Sequence, residues 1–103
     1  MRYYLIKSKV LSDVWDTIIT EYDALSAIGE ELIHLEGGTL ISQYVGATEP
    51  VTYSTITFSG SPARLLYKLL SIGIYSEVEM TELVSQPDFE KVVDKISATS
   101  STI

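Results

Sequence analysis

With 103 residues, 46% of them hydrophobic and 20% charged, the chain has the size of one domain and a composition far from that of a disordered segment. It has no cysteine, which excludes disulfides and thiolate metal sites, and no run approaching about 20 apolar residues, which excludes a membrane-spanning helix. The net charge of −7 is unevenly laid out: from Val10 through Ala63 there are eight carboxylates and no Lys or Arg, an acidic field that opposes nucleic-acid phosphates and draws basic peptides or cations.

Residues 2–10 alternate, with Tyr4, Ile6, Ser8 and Val10 on one side and Tyr3, Leu5, Lys7 and Lys9 on the other, the period of a half-buried strand. The opening residues hold too few consecutive aliphatics for a signal peptide, so a cytoplasmic location is expected. Ser12 is placed to cap a helix, Asp13 and Asp16 suit its positive end, and Leu11, Trp15, Ile18, Tyr22 and Leu25 recur at helical spacing. A helix is therefore expected over 12–28, with Gly29 as its stop.

Residues 31–36 and 39–45 flank the pair Gly37-Gly38, which reads as two short strands around a two-residue turn. After the Gly46–Pro50 punctuation, residues 51–58 (VTYSTITF) are dense in β-branched and aromatic side chains and predict a strand. Ser61 and Pro62 then supply a cap and a first helical residue. Leu65, Leu66, Leu69, Leu70 and Ile72 mark the buried face of a helix over 62–72 that ends at Gly73. Alternation returns over 74–84, with Val78 and Met80 opposed to Glu77 and Glu79. Pro87 and Asp88 open a short helix in which Phe89, Val92, Val93 and Ile96 share a stripe, and 97–103 reads as a fraying polar tail beyond a single domain over 1–96.

This order predicts an α+β fold of the ferredoxin-like βαββαβ kind: an antiparallel sheet with helices on one face, plus an extra hairpin strand within 31–45 and a short C-terminal helix. In it the first strand is central and the last lies beside it. Lys7 and Lys9 then share the open face with Glu77 and Glu79, where opposite charges across strands stabilise by about 0.2–1 kcal/mol per pair.

Constellations for chemistry are sparse. On a strand, the only histidine, His34, would share a side with Glu36; with Glu31, which a sensor site would add, they are weak metal-ligand candidates because a stable site needs three or more converging ligands. No catalytic residues and no cofactor are expected: there is no Gly-x-Ser-x-Gly elbow, and Ser59-Gly60-Ser61 lacks the lysine and spacing of a phosphate loop. The aromatic sheet suits RNA-recognition folds, but the basic-glycine-aromatic pattern is missing and the charge is of the wrong sign, so nucleic acid is not an expected partner. Seven tyrosines in the chain favour protein contact instead. Tyr4, Tyr22 and Tyr67 are assigned to packing, and Tyr3, Tyr53 and Tyr75, with Lys7 and Glu77, to an open-face interface.

In element order the chain resembles the ferredoxin-like oligomers, such as the signal-transducing and divalent-cation-tolerance trimers, which associate through sheets and bind ligands between subunits. The resemblance is one of topology, and it carries no site residue over. The expected function is that of a small non-enzymatic, homo-oligomeric interaction or regulatory module whose acidic surface and exposed sheet face bind a protein or peptide partner. The alternative is a small-molecule or ion sensor with its site at a subunit interface, and a hydrolase with unconventional residues is a third reading.

Overall fold

A computed structural model of the chain describes residues 2–101. Strand β1 (Arg2–Val10) is followed by helix α1 (Ser12–Leu35), β2 (Thr39–Val45), β3 (Val51–Phe58), α2 (Pro62–Ser71), β4 (Tyr75–Leu83) and α3 (Gln86–Ser101). Among the described residues the strands form one antiparallel sheet in the order β2-β3-β1-β4, so that β1 is central and β4 lies beside it.

The alternation of β1 is realised as expected: Tyr4, Ile6, Ser8 and Val10 are buried while Tyr3, Lys7 and Lys9 are exposed. Tyr4 and Ile6 meet Ile56 and Phe58 of β3, Val78 of β4, Ile33 of α1, and Leu65 and Leu69 of α2 in one core, where Ile56 and Leu65 are wholly enclosed. Tyr4 meets Phe58 edge-on, with ring centroids 6.2 Å apart and planes at 71°, the arrangement in which a positive ring edge meets a negative face. A second cluster joins Val10 and Ile74 to Val14, Trp15 and Tyr75. Glu21 departs from helical angles (φ −129°, ψ 36°), so α1 bends between the half that serves this second cluster and the half that lies over the sheet.

The segment 31–36 is not a hairpin strand. Helix α1 runs through Gly29 to Leu35, and Gly37-Gly38 is its stop. Gly37 takes φ +92° and donates its N–H to His34 O at 3.0 Å, while Gly38 donates to Ile33 O at 2.8 Å, the paired closing bonds of a Schellman motif. A glycine pair supplies positive φ to a hairpin and to a helix end alike, and burial of Ile33 in the core decides for the helix. Gly29 does not end the helix. It is buried where an added Cβ would sit 3.4 Å from the Tyr75 hydroxyl, so α1 packs on that side chain at this point.

Smaller corrections follow the same physics. Leu11, not Ser12, occupies the cap position of α1, and no side chain caps it. Ser61 does cap α2, accepting from Arg64 N–H at 3.3 Å, with Pro62 next. Tyr67, assigned to packing, is 72% exposed, because at 100° per residue it points away from the side on which Leu65 and Leu69 are buried. The side chains of Ile18, Tyr22 and Leu25 lie outside the described ones. The expected tail is helical as far as Ser101, with no glycine or proline to stop it, and residues 102 and 103 lie outside the described part.

Helix α3 stands apart from the core. Every side chain from Gln86 through Ser97 is exposed, including Phe89, Val92, Val93 and Ile96. The molecule is accordingly long, 58 × 30 × 20 Å, with a radius of gyration of 16.8 Å against about 13 Å for a compact chain of 100 residues. No helix among the described residues is long and apolar enough to cross a membrane.

Candidate functional site

The face of the sheet turned away from α1 and α2 carries alternate residues of all the strands, and the register sorts them into rows. One end row runs Thr39, Thr57, Tyr3, Leu83, and the next Ser42, Thr55, Leu5, Thr81. Tyr44, Tyr53, Lys7 and Glu79 follow, and Val51, Lys9 and Glu77 close the other end. The face thus sets Tyr3, Leu5 and Leu83 among hydroxyl-bearing Thr and Ser side chains at one end and is charged at the other.

At the first end Tyr3 is 52% exposed beside Leu83, and in the row of Lys7 and Glu79 Tyr44 is 67% exposed on the edge strand. Tyr53 is half-buried between Tyr44 and Lys7. Tyr44 was not readable as an open-face residue. The register shifts between Leu40 and Ser42, and this bulge moves the even positions of β2 onto the side that Thr39 occupies. Ser42 and Thr55 hydrogen-bond through their hydroxyls across the same face.

At the charged end Lys7 stands opposite Glu79 and Lys9 opposite Glu77, as the alternation implies. With Glu49 and Pro50 they rim a surface depression of about 410 Å³ whose floor is Val51. Two ammonium groups and three carboxylates face one space, a charge pattern suited to a small ligand that carries both signs.

Of the residues assigned to the open face, Tyr3, Lys7, Tyr53 and Glu77 lie on it and Tyr75 does not. A register shift after Lys9 pairs Val10 with Tyr75, and Tyr75 turns toward Val10, Ile74 and α1. Burial pushes its phenol above the ordinary range, because the phenolate loses hydration that the neutral hydroxyl needs less. Arg2, at the other end of β1, is held in its charged form first by a hydrogen bond with the Tyr4 side chain and then by Glu82, whose carboxylate lies 3.8 Å away.

The three metal-ligand candidates do not come together. Glu31 and His34 sit one helical turn apart on α1, not on a strand, and line an open depression of about 400 Å³ with Glu30 and Thr39. Glu36 instead accepts a hydrogen bond from Arg64 Nε at 2.8 Å, tying the end of α1 to the start of α2. Among the described residues no three His, Asp or Glu side chains converge on a metal-sized point.

The stripe on α3 is the second feature whose setting sequence reasoning missed. Phe89, Val92, Val93 and Ile96 do share a face, but periodicity reports a face and not what covers it. Compared with known proteins, the chain matches no family model and no curated protein.

Proposed function

We propose that the chain is a small non-enzymatic, homo-oligomeric interaction or regulatory module that engages a protein or peptide partner in the cytoplasm. The observation that carries this reading is the apolar stripe of α3, with Phe89 and Ile96 more than half exposed and no part of the core laid against them. A helix of 16 residues gains little stability alone in water, so its stripe calls for packing that the core does not provide. Exposed Tyr3 and Tyr44 add aromatic surface of the kind enriched in protein interfaces.

A ferredoxin-like plan over a single domain belongs to the same proposal. Its support is the order β2-β3-β1-β4, in which α1 links β1 to β2 across β3, and α2 links β3 to β4 across β1. Both helices contribute core residues on one side of the sheet, as two interleaved βαβ halves require. Native mass spectrometry of the untagged chain tests the function directly. A defined oligomer supports it, and a bare monomer across micromolar concentrations removes it.

A sensor of a small charged ligand is the second reading, favoured by the mixed-charge depression at Lys7, Lys9, Glu49, Glu77 and Glu79. A ligand seated there would raise apparent stability by roughly 2.7 kcal/mol at one hundred times its dissociation constant. Thermal-shift screening against amino acids and divalent cations separates the two readings, since the interaction module needs no such shift.

A further inference from the structure

We infer that the C-terminal arm, Val84 and α3, is received by the open sheet face of a second copy of this chain, a contact that specifies the surface behind the self-association proposed above and rests on it. The arm and the face are two surfaces on one molecule that each carry exposed large apolar side chains. The arm offers Val84, Phe89, Val92, Val93 and Ile96, all at least 42% exposed. The face offers Tyr3, Leu5 and Leu83 at one end and Tyr44 on the edge strand, in the row of Tyr53 and Lys7.

Size agrees with this occupant. A helix of 16 residues is about 24 Å long, and strands of eight or nine residues span about 26–30 Å, so α3 lies along the sheet without overhang. The exposed apolar side chains of one arm amount to a patch on the order of 500 Å². Two such arms with the two surfaces that receive them bury on the order of 2,000 Å², within the range of stable interfaces.

Charge argues against the other occupants. A helix that lies on a membrane surface carries Lys and Arg along its polar side, whereas α3 has Asp88, Glu90 and Asp94 against Lys91 and Lys95 in a chain of net charge −7. The same balance opposes nucleic acid. The arm also begins where the face begins: Leu83 pairs with Tyr3, and Val84 follows directly, so exchange of arms between copies continues one apolar surface into the other.

Complementation between two variants tests this. The arm variant is V92K/I96K and the face variant Y3K/Y44K, all at exposed positions, with circular dichroism confirming that each retains its fold. Native mass spectrometry of the full-length wild type is expected to give an oligomer, of each variant alone a monomer, and of the two mixed a one-to-one heterodimer through the single intact arm and face. A monomeric wild type overturns this inference together with the self-association reading. An oligomeric wild type whose arm variant keeps the same mass overturns the inference alone, leaving association through another surface. Two monomeric variants that do not combine also overturn it, as does an arm variant of unchanged mass and lowered melting temperature, which places the arm on its own sheet.

Discussion

Lys7 on β1 and Glu79 on β4 stand directly opposite each other on the open face, with Lys9 and Glu77 opposed one pair further along. An antiparallel ladder brings such partners to about 5 Å between Cβ atoms, and both side chains are exposed, so attraction between them is screened by salt. Replacing Glu79 with Lys is expected to destabilise the fold by up to about 1 kcal/mol, and adding Lys7→Glu to recover most of it. Urea unfolding of the four members of the cycle at low and high salt measures this, with a coupling that shrinks as salt rises.

The helix stop at Gly37-Gly38 gives a sharper effect. An added Cβ at Gly38 would fall 2.8 Å from Ile33 Cγ2 and 3.2 Å from the carbonyl oxygens of Ile33 and Thr57. Gly38→Ala is therefore expected to cost about 1–3 kcal/mol. Gly37 has open space around it but takes φ +92°, so Gly37→Ala costs about 1–2 kcal/mol through the backbone alone and Gly37→Asn less. Denaturant midpoints of the three variants should rank in that sense.

Tyr75 makes the stability depend on alkaline pH. Its folded pKa is raised by burial above its ordinary value near 10, so both states are neutral below that value and its packing is fully retained. As pH rises past 10 the unfolded chain loses the proton first, the folded state binds more protons than the unfolded one, and stability falls. Melting temperature is expected to drop more steeply above pH 10 in the wild type than in Tyr75→Phe, and equal slopes would refute the assignment.

Leu65 is wholly enclosed between α2 and the sheet. Leu65→Ala leaves a cavity that the flanking strands cannot fill, for an expected loss of about 2–5 kcal/mol. Tyr67→Ala, two residues on and 72% exposed, should stay within about 0.5 kcal/mol. Chemical denaturation of the pair checks the orientation of α2.

Much of the architecture follows from local pattern. The alternation of residues 2–10, the β-branched run 51–58, the return of alternation after Gly73 and the Ser61-Pro62 helix start are read from neighbours a few positions apart, because period and capping are local properties. The cross-strand charges at Lys7, Lys9, Glu77 and Glu79 were legible for the same reason. Residues 31–36 satisfy strand and helix patterns equally well, and only the seating of Ile33 in the core chooses the helix. Tyr44 reaches the open face through a bulge and Tyr75 leaves it through a register shift, both set by a partner strand distant in sequence. The stripe of α3 was visible as a pattern, yet its exposure depends on where every other element lies, and that is a property of the tertiary structure alone.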